Sequence, residues 1–279
     1  MVGQAPEFTV ANWARGDEPI RPYSSVRAME AGWSWQIDSE RIITCGHAFS
    51  SAHTDVAAAE AALRALYPKC GAARIMSFAQ GRYEKSWSGN VVGVGNAAGF
   101  IEPLASAGTG VLAFQCQCFA QTLVDCDRIL RPTLMKQFNK RWQRLVEGER
   151  EFLGLFYRYN NRTERFWRDA REHSHLGDLD IVVKCYEDLG PDSVHRTTLL
   201  HEHDPINFEG YYSVLLGQKA PWTKRWEPSP EELQAWRVVQ GNWRRRAAIA
   251  FTFEEVTAAL LGAPAIQRGS ARRAMEPVA

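Results

Sequence analysis

Apolar residues alternate with polar ones along two short stretches in the first fifth of the chain. Trp33, Trp35 and Ile37 lie on one side of a period-two pattern, Ile42 to Phe49 forms a second apolar run, and Asp38 to Arg41 reads as the turn between them. This predicts a β-hairpin. The first 25 residues carry Pro6, Gly16, Pro19 and Pro22 without sustained periodicity and read as an irregular entry. Beyond the hairpin, Thr54 is placed to cap an alanine-rich helix over Asp55 to Tyr67 that Pro68 stops, and Arg74 to Phe78 returns to strand character.

Asn90 to Val94 has the composition of a short buried strand. It runs into Gly95-Asn96-Ala97-Ala98-Gly99-Phe100-Ile101-Glu102-Pro103 and then Leu104-Ala105-Ser106-Ala107-Gly108-Thr109-Gly110. A helix from Val111 to about Cys126 follows, apolar enough at Val111, Leu112, Phe114, Cys118, Phe119 and Leu123 to be buried. A small-residue loop between strand and helix lets a ligand approach the main chain, and N–H groups at a helix N-terminus can hold an anion or an electron-rich ring edge. A tight turn packed against another element has the same composition, so both readings stay open at this point.

Helical periodicity dominates downstream. Phe138, Trp142, Leu145, Phe152, Phe156 and Tyr159 mark one apolar stripe on a helix from Thr133 to Asn160, interrupted by Glu149, and such a stripe is core before it is a pocket lining. Arg158, Arg162, Arg165 and Arg168 follow a helical period that marks a solvated face. Ser229-Pro230-Glu231-Glu232 opens another helix with an N-cap, a first-turn proline and acidic residues, and Thr252 with Glu255 forms a capping-box pattern for one more. Trp236, Trp243 and Phe251 are the expected anchors of this last part, and Arg244-Arg245-Arg246 a solvated patch. From Gly262 the periodicity is lost.

Composition narrows the function classes. Lys+Arg number 33 against 32 Asp+Glu, a formal net charge of +1 that offers no field for nucleic acid or an anionic membrane. With no long apolar run and no basic flank or apolar signal core over Met1 to Thr9, the reading is a cytoplasmic protein with small-molecule or protein partners. The six cysteines (Cys45, Cys70, Cys116, Cys118, Cys126, Cys185) read as reduced. Cys116 and Cys118, two apart on a helix, diverge by about 200° and read as core thiols rather than as ligands of one metal. His201, Glu202, His203 and Asp204 lack a second ligand group at a recognisable spacing and read as a solvated loop, so no metal is expected.

The stretch from Arg82 to Gly108 resembles the flavin-dependent tryptophan halogenases, whose pattern is G-R, a Trp, then N-V-V-x-x-G-N-A-A-G-F-x-E-P-L-E-[S/A]-T-G. Here it stands as Gly81-Arg82, Trp87, Asn90-Val91-Val92, Gly95-Asn96-Ala97-Ala98-Gly99-Phe100, Glu102-Pro103-Leu104 and Gly108. The family's W-x-W-x-I-P element matches Trp33-Ser34-Trp35-Gln36-Ile37, with Asp38 in place of the proline. Glu151-Phe152, Tyr157, Asn160, Arg162, Phe166-Trp167 and the segment Gly210 to Pro221 extend the resemblance over residues 22 to 221.

The resemblance implies an α+β chain with a partial FAD-dependent monooxygenase/halogenase-like fold. A mixed, antiparallel-leaning sheet from Trp33 to Val94 is followed by a mostly helical C-terminal region. It divides the chain into a sheet and flavin-loop portion (1–110), a helical region (111–262) and a disordered tail (263–279). It implies reduced FAD, delivered by a separate flavin reductase, with oxygen and a halide acting on an electron-rich aromatic small molecule. Gly95, Asn96, Ala97 and Pro103 would line the flavin, and the backbone N–H groups of Ala107 and Gly108 would bind the halide.

The departures are specific. The family's second Glu and its Thr correspond to Ala105 and Ala107, so a carboxylate and a hydroxyl are missing. No G-x-G-x-x-G run follows a strand near the N-terminus, and no lysine takes the family's catalytic role, Lys69 and Lys85 being surface charges. The chain therefore reads as the C-terminal part of such an enzyme, inactive by itself, with no catalytic residue assigned. Two alternatives accompany this reading. One is a flavin monooxygenase-like protein without halide chemistry; the other is a non-catalytic interaction module completed by an N-terminal half or a second copy.

Overall fold

The computed structural model describes residues 6–191, 208–225 and 227–260. Five strands, β1 (Pro6–Ala14), β2 (Ser25–Met29), β3 (Gly32–Asp38), β4 (Ile42–Ser50) and β5 (Arg74–Ser77), form one sheet in the order β2-β3-β4-β1-β5. Every described pairing is antiparallel, so the antiparallel leaning is complete. The β3–β4 hairpin turns where the alternation placed it, closed by Ser39 N–H to Ile42 O at 2.9 Å.

The irregular entry expected over the first 25 residues is corrected: β1 is an interior strand, paired to β4 over its full length and to β5 on its other side. Its prolines and glycine misled because they flank the strand. Pro6 stands at its first position, where a missing N–H is tolerated, and Gly16, Pro19 and Pro22 follow its end.

Helix α1 (Val56–Leu66) covers one sheet face, burying Ala59 and Leu63, the latter with Ala11, Cys45 and Cys70. Its cap is Asp55, whose Oδ1 accepts from the Ala58 N–H at 2.8 Å, and not Thr54 one residue earlier. On the opposite face Trp33 and Ala48 pack with Leu104, Leu153, Tyr157, Phe166 and Trp167. Burial pushes the Cys45 thiol up to about 12, with Cys70 adding to the effect.

Two small ribbons follow: β6 (Gly81–Arg82) pairs with β9 (Gly99–Phe100), and β7 (Trp87–Ser88) with β8 (Val91–Val92). The buried strand expected at Asn90 to Val94 is thus a two-residue ribbon edge with Val91 66% exposed. Then come α2 (Ala107–Asp125), α3 (Pro132–Arg158), α4 (Arg165–His173), α5 (Leu179–Leu189), α6 (Phe208–Gly217), α7 (Pro230–Ile249) and α8 (Phe253–Leu260). Helix α2 is not the buried helix its composition suggested: Leu112 and Val124 are exposed. Cys116 is exposed and Cys118 half-buried, so neither is a core thiol.

The stripe on α3 holds in its first half, where Phe138, Trp142 and Leu145 are buried. In its second half the buried positions are Leu153, Leu155 and Tyr157, while Phe152, Phe156 and Tyr159 are only partly buried. The reason is that this half serves two cores. Leu153 and Tyr157 face the sheet cluster, and Leu155 faces a second cluster built on Val182, Val183, Tyr186 and Leu215.

The chain divides into two compact units between Lys224 and Arg225. In the second, Trp236, Trp243 and Phe251 are exposed, and Trp236 and Trp243 pack edge-to-face on each other with ring centroids 5.2 Å apart. No described helix is long and apolar enough to cross a membrane. Residues 201–204 and 263–279 lie outside the described residues.

Candidate functional site

The small-residue loop is held from beneath by one buried amide. Gln115, on α2, accepts the Gly95 N–H at Oε1 (2.8 Å) and donates from Nε2 to Ser86 Oγ (2.8 Å) and Gly93 O (3.0 Å). Gly95 needs to be glycine: its φ is +55°, and an added Cβ would come within 3.0 Å of Leu112 Cδ1. Residues Gly95–Ala97 and Leu104–Ser106 form two 3-10 turns, and both contact α2. Asn96 and Ala97 are exposed, whereas Ala98 is buried against Val111 and Trp142.

The second turn is strained. Ala105 and Ser106 both have left-handed backbones, φ 59° and 54°, immediately before α2 begins at Ala107. Ser106 makes no side-chain capping bond, so the first N–H groups of α2 have no cap and no intrahelical acceptor. Gly108 and Gly110 face open space, with nothing within 4 Å of a Cβ built on either. A helix end of this kind favours negative charge beside it.

Just before this turn a carboxyl is fully buried. Trp33 Nε1 donates to the Tyr157 hydroxyl (3.2 Å), which donates to Glu102, 2.9 Å from each carboxylate oxygen. Burial pushes the Glu102 carboxyl up, against the pull of the Tyr157 hydrogen bond. Tyr157 is raised well above its ordinary value, by burial first and then by Glu102. Glu149, also buried, is pushed up to about 7 by burial and by repulsion from Glu102. A cavity of about 230 Å³ lies beside these groups, lined by Ile101, Glu102, Leu153, Tyr157, His173 and His175 among others.

Gly95, Asn96 and Ala97 lie in the first turn, which meets α2 at Leu112 and Gln115, while Pro103, Ala107 and Gly108 flank the second, which leads into its start. Lys69 is ion-paired with Glu18 and Lys85 is exposed, as surface charges. Sequence reasoning missed Gln115, and it quoted Glu102 and Tyr157 only as residues of the family pattern, without their burial or their contact. Glu149 was visible only as a break in an apolar stripe.

A further constellation joins Ser50 Oγ to His53 Nδ1 (3.0 Å) and His53 Nε2 to Asp169 Oδ2 (2.9 Å). With Ser50 fully buried, it ties the turn after β4 to α4 and offers no accessible nucleophile. Among the described residues no cluster of three or more His, Cys, Asp or Glu could hold a metal.

Solved structures share this architecture. BrvH, a flavin-dependent halogenase from Brevundimonas sp. BAL3, superposes with a TM-score of 0.81 at 22% identity, over 93% of this chain and 53% of that one. The fold is the α+β halogenase fold. The family described as Tryptophan halogenase matches residues 7–233. Tryptophan 6-halogenase SttH of Streptomyces toxytricini is 29% identical over 211 residues, 74% of this chain and 39% of that protein. The SttH structure superposes with a TM-score of 0.77 at 25% identity, over 91% of this chain and 52% of that one. The chain belongs to the tryptophan halogenase family. It spans 39% of the curated SttH sequence and about half of these solved chains.

Proposed function

We propose that this chain provides one wall of the active site of a flavin-dependent halogenase-like oxidoreductase of the cytoplasm, acting on an electron-rich aromatic small molecule. The observation that carries the reading is the exposed small-residue loop that ends at an uncapped helix N-terminus, within a chain of this family. Gly95, Asn96, Ala97 and Pro103 would hold the flavin, and the backbone N–H groups of Ala107 and Gly108 the halide. The residues fit. Asn96, Ala97 and Ala105 are exposed and mostly small, and the space around Gly108 is open. Bound reduced FAD, supplied by a flavin reductase, would contribute the reaction with oxygen that oxidises the halide. The protein's own part is to present N–H donors, exclude water and hold the anion in place.

In this reading residues 1–110 are the sheet and flavin-loop portion and 111–262 the helical region. A nucleotide-binding half or a second copy of the chain would complete the site. Ala105 and Ala107 favour a second reading: flavin oxidoreductase chemistry without a halide, because neither brings the carboxylate or hydroxyl its position carries in the family.

The test is a chimera joining the nucleotide-binding half of a tryptophan halogenase to this chain, given reduced flavin, oxygen, chloride and an indole. We expect poor chlorination by mass spectrometry. Ala105→Glu with Ala107→Thr should raise product about ten-fold or more relative to released peroxide. Efficient chlorination without the substitutions, or no gain in a chimera that binds flavin, removes the assignment of these two positions. A chimera that binds no flavin removes the first reading. The 279-residue polypeptide alone should bind FAD weakly by fluorescence titration, having no nucleotide-binding fingerprint near its N-terminus.

A further inference from the structure

We propose that Glu102 is a positioning residue, which with Tyr157 and Trp33 behind it holds the turn Pro103 to Ser106 in the left-handed conformation that starts α2. The inference rests on the proposed function only for the turn's purpose; the mechanical claim stands on the geometry.

Two consecutive non-glycine residues at positive φ, Ala105 and Ser106, are each sterically unfavourable, so surrounding contacts must over-determine them. The turn's own backbone bond is long, Ser106 N–H to Pro103 O at 3.3 Å, and the side chain of Ser106 contributes no cap. Constraint has to come from the flanks. On the near side of the loop it comes from Gln115, whose amide binds Gly95, Ser86 and Gly93 at once.

On the side of the strained turn, the buried anchors are Glu102 and Leu104. Leu104 packs in the aromatic cluster with Trp33, Tyr157 and Phe166, a contact that holds depth but little direction. Glu102 adds direction, because the Tyr157 hydroxyl lies 2.9 Å from each of its oxygens and is itself held by the Trp33 indole. Three elements thus converge on the residue preceding Pro103: the loop, α3 through Tyr157 and β3 through Trp33. The fixed φ of Pro103 transmits that direction into the turn.

A double-mutant cycle in denaturant tests this, run without flavin or halide. Ala105→Gly relieves the left-handed strain and should raise the folding equilibrium constant roughly five-fold or more in the parent protein. In an E102A background the released turn relaxes, and the gain should fall below about two-fold. E102Q should keep the gain, since its amide oxygen still accepts from Tyr157, and Y157F should lose it. An equal gain from Ala105→Gly in the parent and in both E102A and Y157F overturns the proposal, as does no gain in the parent. If E102A does not fold cooperatively, the Y157F cycle decides alone. Coupling found here beside a chimera that binds no flavin would overturn the functional reading and leave this one standing. A flavin-binding chimera without the coupling would do the reverse.

Discussion

Helices α3 and α7 begin alike and end as opposites. Both have a proline in the first turn, but α7 carries a complete capping box: Ser229 Oγ accepts the Glu232 N–H at 3.2 Å and the Glu232 carboxylate accepts the Ser229 N–H at 2.7 Å. Helix α3 has no side-chain cap at all. Yet α3 buries eight residues over its 27, and α7 buries none of its 20. Local signals specify where a helix starts; packing specifies whether it is part of a core. Helix α3 owes its persistence to the aromatic clusters it joins, and α7 owes more of its own to its cap and first-turn acids.

The sharpest way to break this contrast is Trp142→Ala. Trp142 is 2% exposed and packs against Ala98, Val111, Leu145 and Val146, so its loss should destabilise the first unit by about 3–5 kcal/mol in denaturant titrations. A loss near 1 kcal/mol would mean that α3 is held locally after all.

Glu149 gives an intermediate effect with a definite sign. Its carboxyl is raised to about 7 in the folded chain, so between the ordinary value of 4.5 and about 7 the folded state binds more protons than the unfolded one. This group therefore makes stability fall as pH rises through that window, by about 1–3 kcal/mol, and level off above it. Glu149→Gln should remove that part of the slope and raise the melting temperature at pH 8 more than at pH 4.5. An unchanged slope would place the charge in solvent.

The smallest change is expected in α7. Ser229→Ala should cost that helix about 1 kcal/mol, seen as faster amide exchange over its first turns, with protection of α3 unaltered. Equal loosening of both helices would show that the two behave as one cooperative body.

Much of the site's chain path was legible before any coordinates. The small-residue loop, the helix after it and the family pattern could be read from residue types, because small residues and a following helix are local properties. The helix starts at Ala107, however, so Ala107 to Gly110 form its first turn and not the end of the loop. The first strand was not legible: prolines and a glycine that break strands from within sit here at its margins, and only pairing with β4 and β5 shows the difference. The strained pair Ala105 and Ser106 was equally hidden, since nothing in Ala-Ser signals positive φ.

Sequence alone determined the positions of most helices and of the β-hairpin, the N-cap at Ser229 and the capping box at Thr252, and membership in a family whose motif survives in order. Those depend on neighbours a few residues away. Tertiary structure decided which side of the second half of α3 is buried, that α2 keeps an exposed flank, and that Glu102 meets Tyr157 and Trp33 inside one core. These partners lie 55 and 124 residues apart in sequence, and a hydrogen bond over such a separation exists only when sheet and helix have already brought both groups out of water.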